Sequence, residues 1–210
     1  MAETTEVAII GGGAAGCAVA FYLAQSGVKS TIIEREGVGN QASGYAAGGL
    51  NPLTGIGIPG PLGAFGWESF QLHLGLYDGL KEQSGIDYQN RTVAKIDLAL
   101  EEPDLEGLRA PVALFEGVEG FEARWLEPEE IAKLEPRTSP AVLGGMYSYG
   151  NNAVDSHDFT KALAAAAPEG QAALYVVDSL AHVDLGAAGL IDILILWRAA
   201  YRLLSEREED

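Results

Sequence analysis

The chain has 210 residues, enough for one ordinary domain or for one domain carrying an insertion, and long enough to bury a core. Apolar residues make up 48% and charged residues 20%, as in an ordinary soluble globular protein, whereas its 27 glycines are well above typical usage. The formal net charge of −17 would repel phosphate backbones, so these numbers disfavour a nucleic-acid partner.

Cysteine usage and hydropathy favour a cytoplasmic chain. Cys17 is the only cysteine, so no disulfide can form within the chain, and a reducing compartment fits. The N-terminus carries Glu3 and Glu6 where a secretory signal needs positive charge. The strongest late apolar run, residues 189–197, contains Asp192 and is too short to span a bilayer. No membrane span is therefore expected, and no pattern points to a particular oligomeric state.

A βαβ unit is predicted at the N-terminus. Residues 6–10 (EVAII) form a short β-branched run that stops at glycine, as a buried parallel strand does. A helix is predicted over 14–25, with Gly27 placed to end it, and a second strand over 28–34. A strand, glycine turn, helix and strand in this order predict a right-handed crossover between parallel strands.

The remaining elements are predicted from periodicity and from the positions of glycine and proline. Residues 41–66 lack a sustained period and indicate a long loop. Apolar residues at helical spacing between Trp67 and Tyr77 predict a helix that ends near Gly85. Further strands are predicted at 93–100, 111–115, 120–125, 144–149 and 172–177, helices at 127–136 and 156–168, and a hairpin at 179–195.

This order of elements predicts an α/β fold in which a Rossmann-like nucleotide-binding domain with a parallel sheet is interrupted by an α+β insertion. The predicted nucleotide-binding domain comprises 1–65 and 150–195, and the inserted substrate domain comprises 66–149. Residues 196–210 form a separate segment with the pattern of a charged amphipathic helix.

The first glycine cluster satisfies the G-x-G-x-x-G pattern with Gly11, Gly13 and Gly16, directly after a predicted strand and at the start of a helix. The first glycine permits a tight turn, the second lets a pyrophosphate approach the backbone, and the third lets helix and strand pack closely. Glu34 ends the second strand, where an acid accepts hydrogen bonds from an adenosine ribose. The pattern thus predicts a site for FAD or NAD.

Two segments, GGGAAGCAVAFYLAQSGVKSTIIER and ASGYAAGGLNP, resemble the FAD-dependent D-amino-acid oxidase and glycine oxidase superfamily of amine oxidases. Weaker matches follow in order at LEP, GGMYSYGNNAVD and FTKALAAAA. The resemblance implies FAD as cofactor. It places the pyrophosphate at the first glycine cluster, at Gly11, Gly13, Ala14, Ala15 and Gly16, and the ribose and adenosine at Glu34 and Arg35. It places the flavin at a second glycine cluster, residues 42–52 (ASGYAAGGLNP), at Ser43, Ala46, Ala47 and Gly48, with a further backbone contact at Leu180.

The second cluster favours FAD over other dinucleotides, because small residues leave room for a planar flavin ring. On this interpretation, replacing Gly48 with Val is expected to abolish flavin retention while leaving the fold largely intact.

The resemblance covers residues 6–195 and is strongest before Pro52. Family members continue with a C-terminal segment that closes over the flavin, so the sequence is interpreted as truncated at its C-terminus. The Arg and Tyr that bind the substrate carboxylate in that family belong to the missing part, and no catalytic residue is assigned. His73, His157 and His182 lack the spacing of a metal site, and no metal is predicted.

Four functions remain open from the sequence. The first is oxidation of a small amine or amino acid by hydride transfer to FAD, and the second is a truncated, non-catalytic remnant of such an enzyme. The third is an NAD-dependent dehydrogenase that uses the same glycine motif. The fourth is the oxidase domain of a tRNA-modifying enzyme, against which the charge of −17 argues.

Overall fold

The computed structural model of the chain describes residues 5–55 and 58–166, and the backbone of residues 172–176. In chain order the strands are β1 (Val7–Ile10), β2 (Ser30–Glu34), β3 (Gly49–Leu50), β4 (Arg91–Ala99), β5 (Glu122–Leu126), β6 (Gly144–Ala153) and β7 (Ala172–Val176). The helices are α1 (Ala14–Gln25), α2 (Gly63–Ser84), α3 (Glu102–Arg109), α4 (Pro128–Leu134) and α5 (Ser156–Ala165), and a 3-10 helix spans Ala110–Phe115.

The chain divides into two compact units. The first comprises Met1–Ala46, Gln83–Ile86 and Ser156–Asp210, and the second comprises Ala47–Glu82 and Asp87–Asp155. The main boundaries therefore fall after residues 46 and 155, whereas the domain boundaries expected from the sequence fall after 65 and 149. The division into a nucleotide-binding and a substrate domain stays a prediction.

The first unit is built on a parallel sheet with the strand order β1-β2-β7. Neighbouring strands pair residue by residue along their length, with Ile9 opposite Ile32 and Ile33 opposite Tyr175. This sheet confirms the predicted βαβ unit and the strand predicted at 172–177. A parallel sheet of this kind buries apolar residues, as Ile9, Ile32 and Ile33 are buried here.

Helix α1 connects β1 to β2 and packs against α5 within the same unit. Its inward face carries Cys17, Ala20, Phe21 and Ala24, all buried, which follow the three- and four-residue spacing of one helix face. The helix ends where predicted, because Gly27 adopts a φ of +77°, a left-handed conformation that glycine takes without steric cost.

The second unit is built on an antiparallel sheet in which the long strand β6 pairs with β3, β4 and β5. One core cluster of this unit contains apolar side chains from the strands, from α4 and from the segment before β6: Leu126, Ile131 and Val142, with Ile96, Leu98 and Tyr147 packed against them. Four aromatic rings form a second packed group, Trp67, Phe70, Phe115 and Phe121.

Two details of the second unit differ from the sequence prediction. Residues 111–115 were expected to form a strand, but they belong to the 3-10 helix that follows α3. A short apolar run does not distinguish strand from helix, and the preceding capping box of Glu101 and Asp104 starts a helical segment instead. Leu100 lies beyond the end of β4 and is exposed rather than facing the core.

The predicted hairpin at 179–195, the contact residue Leu180 and the tail at 196–210 lie outside the described residues. Among the helices that are described, none is both long and apolar enough to cross a membrane.

Candidate dinucleotide site

The turn between β1 and α1 uses its glycines in two different ways. Gly11 has a φ of +103°, and its N–H donates to the carbonyl oxygen of Ile33 at 2.8 Å. A Cβ added to Gly11 would meet no atom of the described residues within 4 Å. A Cβ on Gly16, in contrast, would lie 2.1 Å from the carbonyl oxygen of Gly11. The first glycine therefore shapes an open turn, and the third lets the helix pack closely beneath it.

The N-terminus of α1 faces this turn. Its N-cap, Gly13, is extended, and the first bond within the helix runs from the Cys17 N–H to the Gly13 carbonyl at 2.9 Å. The amides of the first turn have no carbonyl four residues earlier to bind. One of them, Ala14 N–H, donates to Ser43 Oγ at 2.9 Å. Such a helix terminus carries a partial positive charge and suits a phosphate group.

The carboxylate of Glu34 lies over the same turn, at the carboxyl end of β2. Its Oε2 accepts a hydrogen bond from the Gly12 N–H at 2.6 Å, and its Oε1 accepts from the N–H groups of Arg35 at 2.7 Å and Glu36 at 2.9 Å. The pKa of Glu34 is lowered, chiefly by the hydrogen bond from the Glu36 N–H, so the side chain is ionised at neutral pH.

The fixed carboxylate decides which nucleotide suits the turn. An ionised carboxylate only accepts hydrogen bonds, so it matches the hydroxyl groups of an unphosphorylated ribose and repels a 2′-phosphate. Gly12 allows this approach, because a Cβ there would lie 3.1 Å from Glu34 Cγ. The residues of this turn therefore fit a dinucleotide with an unphosphorylated ribose, such as FAD.

Two other predicted site residues of this turn are exposed. Ala15 lies in the first turn of α1. The Arg35 guanidinium is 2.8 Å from Glu36 Oε1, an exposed ion pair beside Glu34. Both residues are open to solvent beside the turn, and their roles toward a cofactor stay predictions.

Cys17 has a structural role beneath the turn. Its side chain is fully buried, and Sγ lies 3.4 Å from the Gly12 carbonyl oxygen. Burial, followed by the nearby charge of Glu34, raises the pKa of the thiol to about 11. The thiol is therefore protonated at neutral pH and packs as a small apolar group.

The second glycine cluster is divided between the two units. In the first unit, Ser43 lies at the α1 N-terminus, and the carbonyl oxygen of Ala46, whose side chain is exposed, accepts a hydrogen bond from Ser156 Oγ at 2.7 Å. In the second unit, Ala47 is exposed, and the Gly48 carbonyl accepts a hydrogen bond from the Val154 N–H at 3.0 Å.

Gly48 is required by the protein's own backbone. It has a φ of +73°, and a Cβ would lie 1.9 Å from the carbonyl oxygen of Val154. The expectation that Gly48→Val leaves the fold largely intact is therefore wrong, because any side chain at this position displaces a neighbouring backbone segment.

Comparison with known proteins gives the family. The family described as DAO, FAD dependent oxidoreductase, matches residues 6–190. This chain belongs to that family. The resemblance stated from the two glycine-rich segments is thereby confirmed, and so is the α/β fold class predicted from the order of elements.

Among the sequence relatives of this family member is the glycine oxidase of Geobacillus kaustophilus (strain HTA426). It is 34% identical over 190 residues, which cover 90% of this chain and 50% of the relative. The crystal structure of glycine oxidase from Geobacillus kaustophilus is similar to this chain with a TM-score of 0.74 and 33% identity, covering 82% of this chain and 46% of that one.

A second solved structure is that of the dithionite-reduced L-alpha-glycerophosphate oxidase from Mycoplasma pneumoniae with FAD bound. It has a TM-score of 0.67 and 25% identity, and the match covers 83% of this chain and 45% of that one. The present member of the family thus spans about half the length of the relatives it matches.

Several residues that build the site were not singled out from the sequence. Gly12 lies inside the G-x-G pattern, and that position could have drawn attention to it. Gly39, whose N–H donates to the Gly12 carbonyl at 2.9 Å, and Ser156 and His157 of α5 have no local sequence signal, since their contacts lie far along the chain. Across the part of the chain that is described, no three His, Cys, Asp or Glu side chains are grouped to hold a metal ion.

Proposed function

We propose that this chain binds FAD and serves in the oxidation of a small amine or amino acid by hydride transfer to the flavin. The observation that carries the proposal is the ionised Glu34 carboxylate, held by three backbone N–H groups over an open glycine turn. When bound, FAD would accept a hydride from the substrate and pass the electrons to O₂ or another acceptor.

Different residues of the chain would bind different parts of FAD. Gly11, Gly13 and the first turn of α1, including Ala14 and Ala15, would hold the pyrophosphate, with Gly16 allowing the helix to approach. Glu34 would bind the ribose, and Arg35 would lie beside the adenosine. The small residues of the second cluster would line the flavin, Ser43, Ala46, Ala47 and Gly48, and Leu180 would contribute a backbone contact.

The amine or amino acid class rests on the relatives. Glycine oxidases match this chain at 34% identity, and a human mitochondrial dimethylglycine dehydrogenase matches at 28%. A glycerol 3-phosphate oxidase also matches, at 30%, so a hydroxyl compound is the competing substrate class. Substrate screening with glycine, N-methylated glycines and glycerol 3-phosphate would separate the two classes.

A second function, FAD binding without turnover, is favoured by one observation. The described contacts around Gly12 and Glu34 form a nucleotide-binding turn, and no catalytic residue is assigned among the described residues. A chain that retains FAD but reduces neither O₂ nor an artificial acceptor with any of these substrates would support this function over the oxidase.

The binding proposal is tested by the absorption spectrum of the purified full chain and by the cofactor released on denaturation. Flavin absorption with released FAD is expected. A chain that shows no flavin, is not reconstituted by added FAD and is instead stabilised by NAD would overturn the proposal in favour of a dehydrogenase. A chain that responds to neither dinucleotide would support the non-catalytic remnant.

The role of Glu34 is tested by Glu34→Gln, which keeps the shape of the side chain and removes its charge. Hydrogen bonds to charged groups contribute about 1.5–3 kcal/mol, so FAD affinity should fall by about tenfold or more. Glu82→Gln, at an exposed position of α2, makes the same change in net charge and should leave FAD affinity unchanged. Equal affinities for both variants would remove Glu34 from the site.

A further inference from the structure

The loop formed by residues 37–46, called here the 37–46 loop, contributes Ser43 to the N-terminus of α1. Two hydrogen bonds connect it to the glycine turn: the Gly39 N–H donates to the Gly12 carbonyl at 2.9 Å, and Ser43 Oγ accepts from the Ala14 N–H at 2.9 Å. The position of the Ser43 hydroxyl at the helix terminus therefore depends on how this loop is held.

The first turn of α5 contacts the same loop near both of its ends. His157 Nε2 lies 3.2 Å from the Val38 carbonyl oxygen, and Ser156 Oγ lies 2.7 Å from the Ala46 carbonyl oxygen. Because a carbonyl oxygen only accepts hydrogen bonds, Nε2 carries the proton in this contact. Two side chains from adjacent residues of one helix thus fix two carbonyl groups of the loop.

Glycines in the loop make room for the His157 ring. A Cβ on Gly39 would lie 2.8 Å from His157 Cδ2, and a Cβ on Gly44 would lie 3.4 Å from it. Gly44 also approaches Gly39 closely, since its Cβ would lie 2.0 Å from the Gly39 carbonyl oxygen. The loop is folded on itself and packed against the ring.

The first turn of α5 is itself anchored. Thr160 is fully buried, and its Oγ1 donates to the Ser156 carbonyl at 2.8 Å. A Cβ on Gly39 would also lie 3.4 Å from Thr160 Cβ, so the helix packs against the loop beyond the histidine. A helix end packed against a binding loop is a suitable support for it, because the loop then loses little freedom when a ligand binds.

We infer that His157 and Ser156 are positioning residues for the dinucleotide site, acting through the 37–46 loop rather than by touching the cofactor. The inference rests on the proposed binding of FAD at the glycine turn. In the flavin-free protein the two hydrogen bonds keep Ser43 at the α1 N-terminus and keep the Ala46 carbonyl in place. Losing them leaves the loop free to move away, which lowers affinity for the dinucleotide.

The test uses the full chain and two measurements. Hydrogen exchange followed by mass spectrometry on flavin-free protein reports the protection of amides in the 37–46 loop. Fluorescence titration with FAD reports affinity. For His157→Ala, loop amides should exchange about tenfold faster and FAD should bind about tenfold more weakly, the loss of about one hydrogen bond.

Two further variants make this result specific. His157→Gln keeps an N–H donor on a side chain of similar reach, and it should restore both loop protection and FAD affinity to within about twofold of the parent chain. Lys161→Ala, on the same helix, removes a side chain that pairs with Asp158 and should leave both measurements unchanged. Ser156→Ala removes only a hydroxyl group and repeats the test at the Ala46 end if His157→Ala does not fold.

The outcomes separate this inference from the proposed function. Unchanged exchange in the 37–46 loop for both His157→Ala and Ser156→Ala would overturn the inference, and so would faster exchange with unchanged FAD affinity. If the parent chain binds no FAD, the proposed function fails. In that case the exchange experiment alone decides whether α5 holds the loop, with unchanged protection overturning that role.

Discussion

The two glycine clusters of this chain have similar compositions, but they need glycine for different structural reasons. In the first cluster, a Cβ at Gly11 would meet open space, and at Gly13 it would meet only the Ser43 hydroxyl at 3.0 Å. In the second cluster, a Cβ at Gly44 or Gly48 would lie within 2.0 Å of a backbone carbonyl of the protein itself. At Gly11 of the first cluster, the absence of a side chain leaves open space beside the turn. At Gly44 and Gly48 of the second cluster, it lets neighbouring backbone segments of the protein come close.

This difference matters for reading glycine-rich motifs. Glycine is needed wherever backbone approaches backbone or a ligand, and composition alone does not tell these needs apart. Gly16 shows that even the first cluster contains one glycine required for internal packing, since its Cβ would lie 2.1 Å from the Gly11 carbonyl. Substitutions at single glycines can separate folding from cofactor binding.

The largest effect is expected for Gly48→Ala in the second cluster. Left-handed strain and the contact with the Val154 carbonyl should together lower the free energy of unfolding by about 3 kcal/mol or more. Urea denaturation followed by circular dichroism measures this. Gly27→Ala is the matched control, because Gly27 has a similar φ of +77° with no described atom near its Cβ position. It should cost only about 1–2 kcal/mol. Equal losses would show that the Val154 contact is unimportant.

The next largest effect is expected for Gly13→Ala in the first cluster, and it should fall on the cofactor. The added methyl group meets a side-chain hydroxyl that can rotate, so stability should change by about 1 kcal/mol or less. The methyl group would stand where the pyrophosphate approaches, and FAD affinity should fall by more than about tenfold. Fluorescence titration with FAD checks this. Retained affinity would show that Gly13 is not needed for the approach of the pyrophosphate.

A smaller effect concerns pH and Glu34 in the flavin-free chain. Backbone N–H groups, that of Glu36 first, lower the pKa of Glu34 below its ordinary value of 4.5. Its stabilising contribution is therefore complete above about pH 4.5 and is lost as pH falls through the lowered pKa. The stability difference between the parent chain and Glu34→Gln should shrink over that range in urea denaturation. A difference that grows toward low pH would contradict this assignment.

The smallest effect is expected at a glycine with neither role. Gly75 lies inside α2, and none of the described atoms comes within 4 Å of its Cβ position. Gly75→Ala should raise the free energy of unfolding by up to about 1 kcal/mol, because alanine is the better helix former. FAD affinity should be unaffected. Destabilisation, measured in the same urea experiment, would show that this helix position is more crowded than the described contacts indicate.

Much of the first unit could be predicted from the sequence. The β1–α1–β2 order, the end of α1 at Gly27 and the position of Glu34 at the end of β2 all follow from local patterns. Prediction was weaker in the second unit, where α3 was missed and residues 111–115 were assigned to a strand. A short apolar run carries no periodicity long enough to choose between the two structures.

The sequence by itself determined the family and the local geometry of the glycine turn, because the turn, the helix start and the acid at a strand end are local features with fixed spacing. Only the tertiary structure decided which glycines serve the protein's own backbone and which residues hold the 37–46 loop. The Val154 carbonyl over Gly48 and the His157 ring beside Gly39 come from distant parts of the chain. Folding brings such segments together by packing, and no local pattern records which of them will meet.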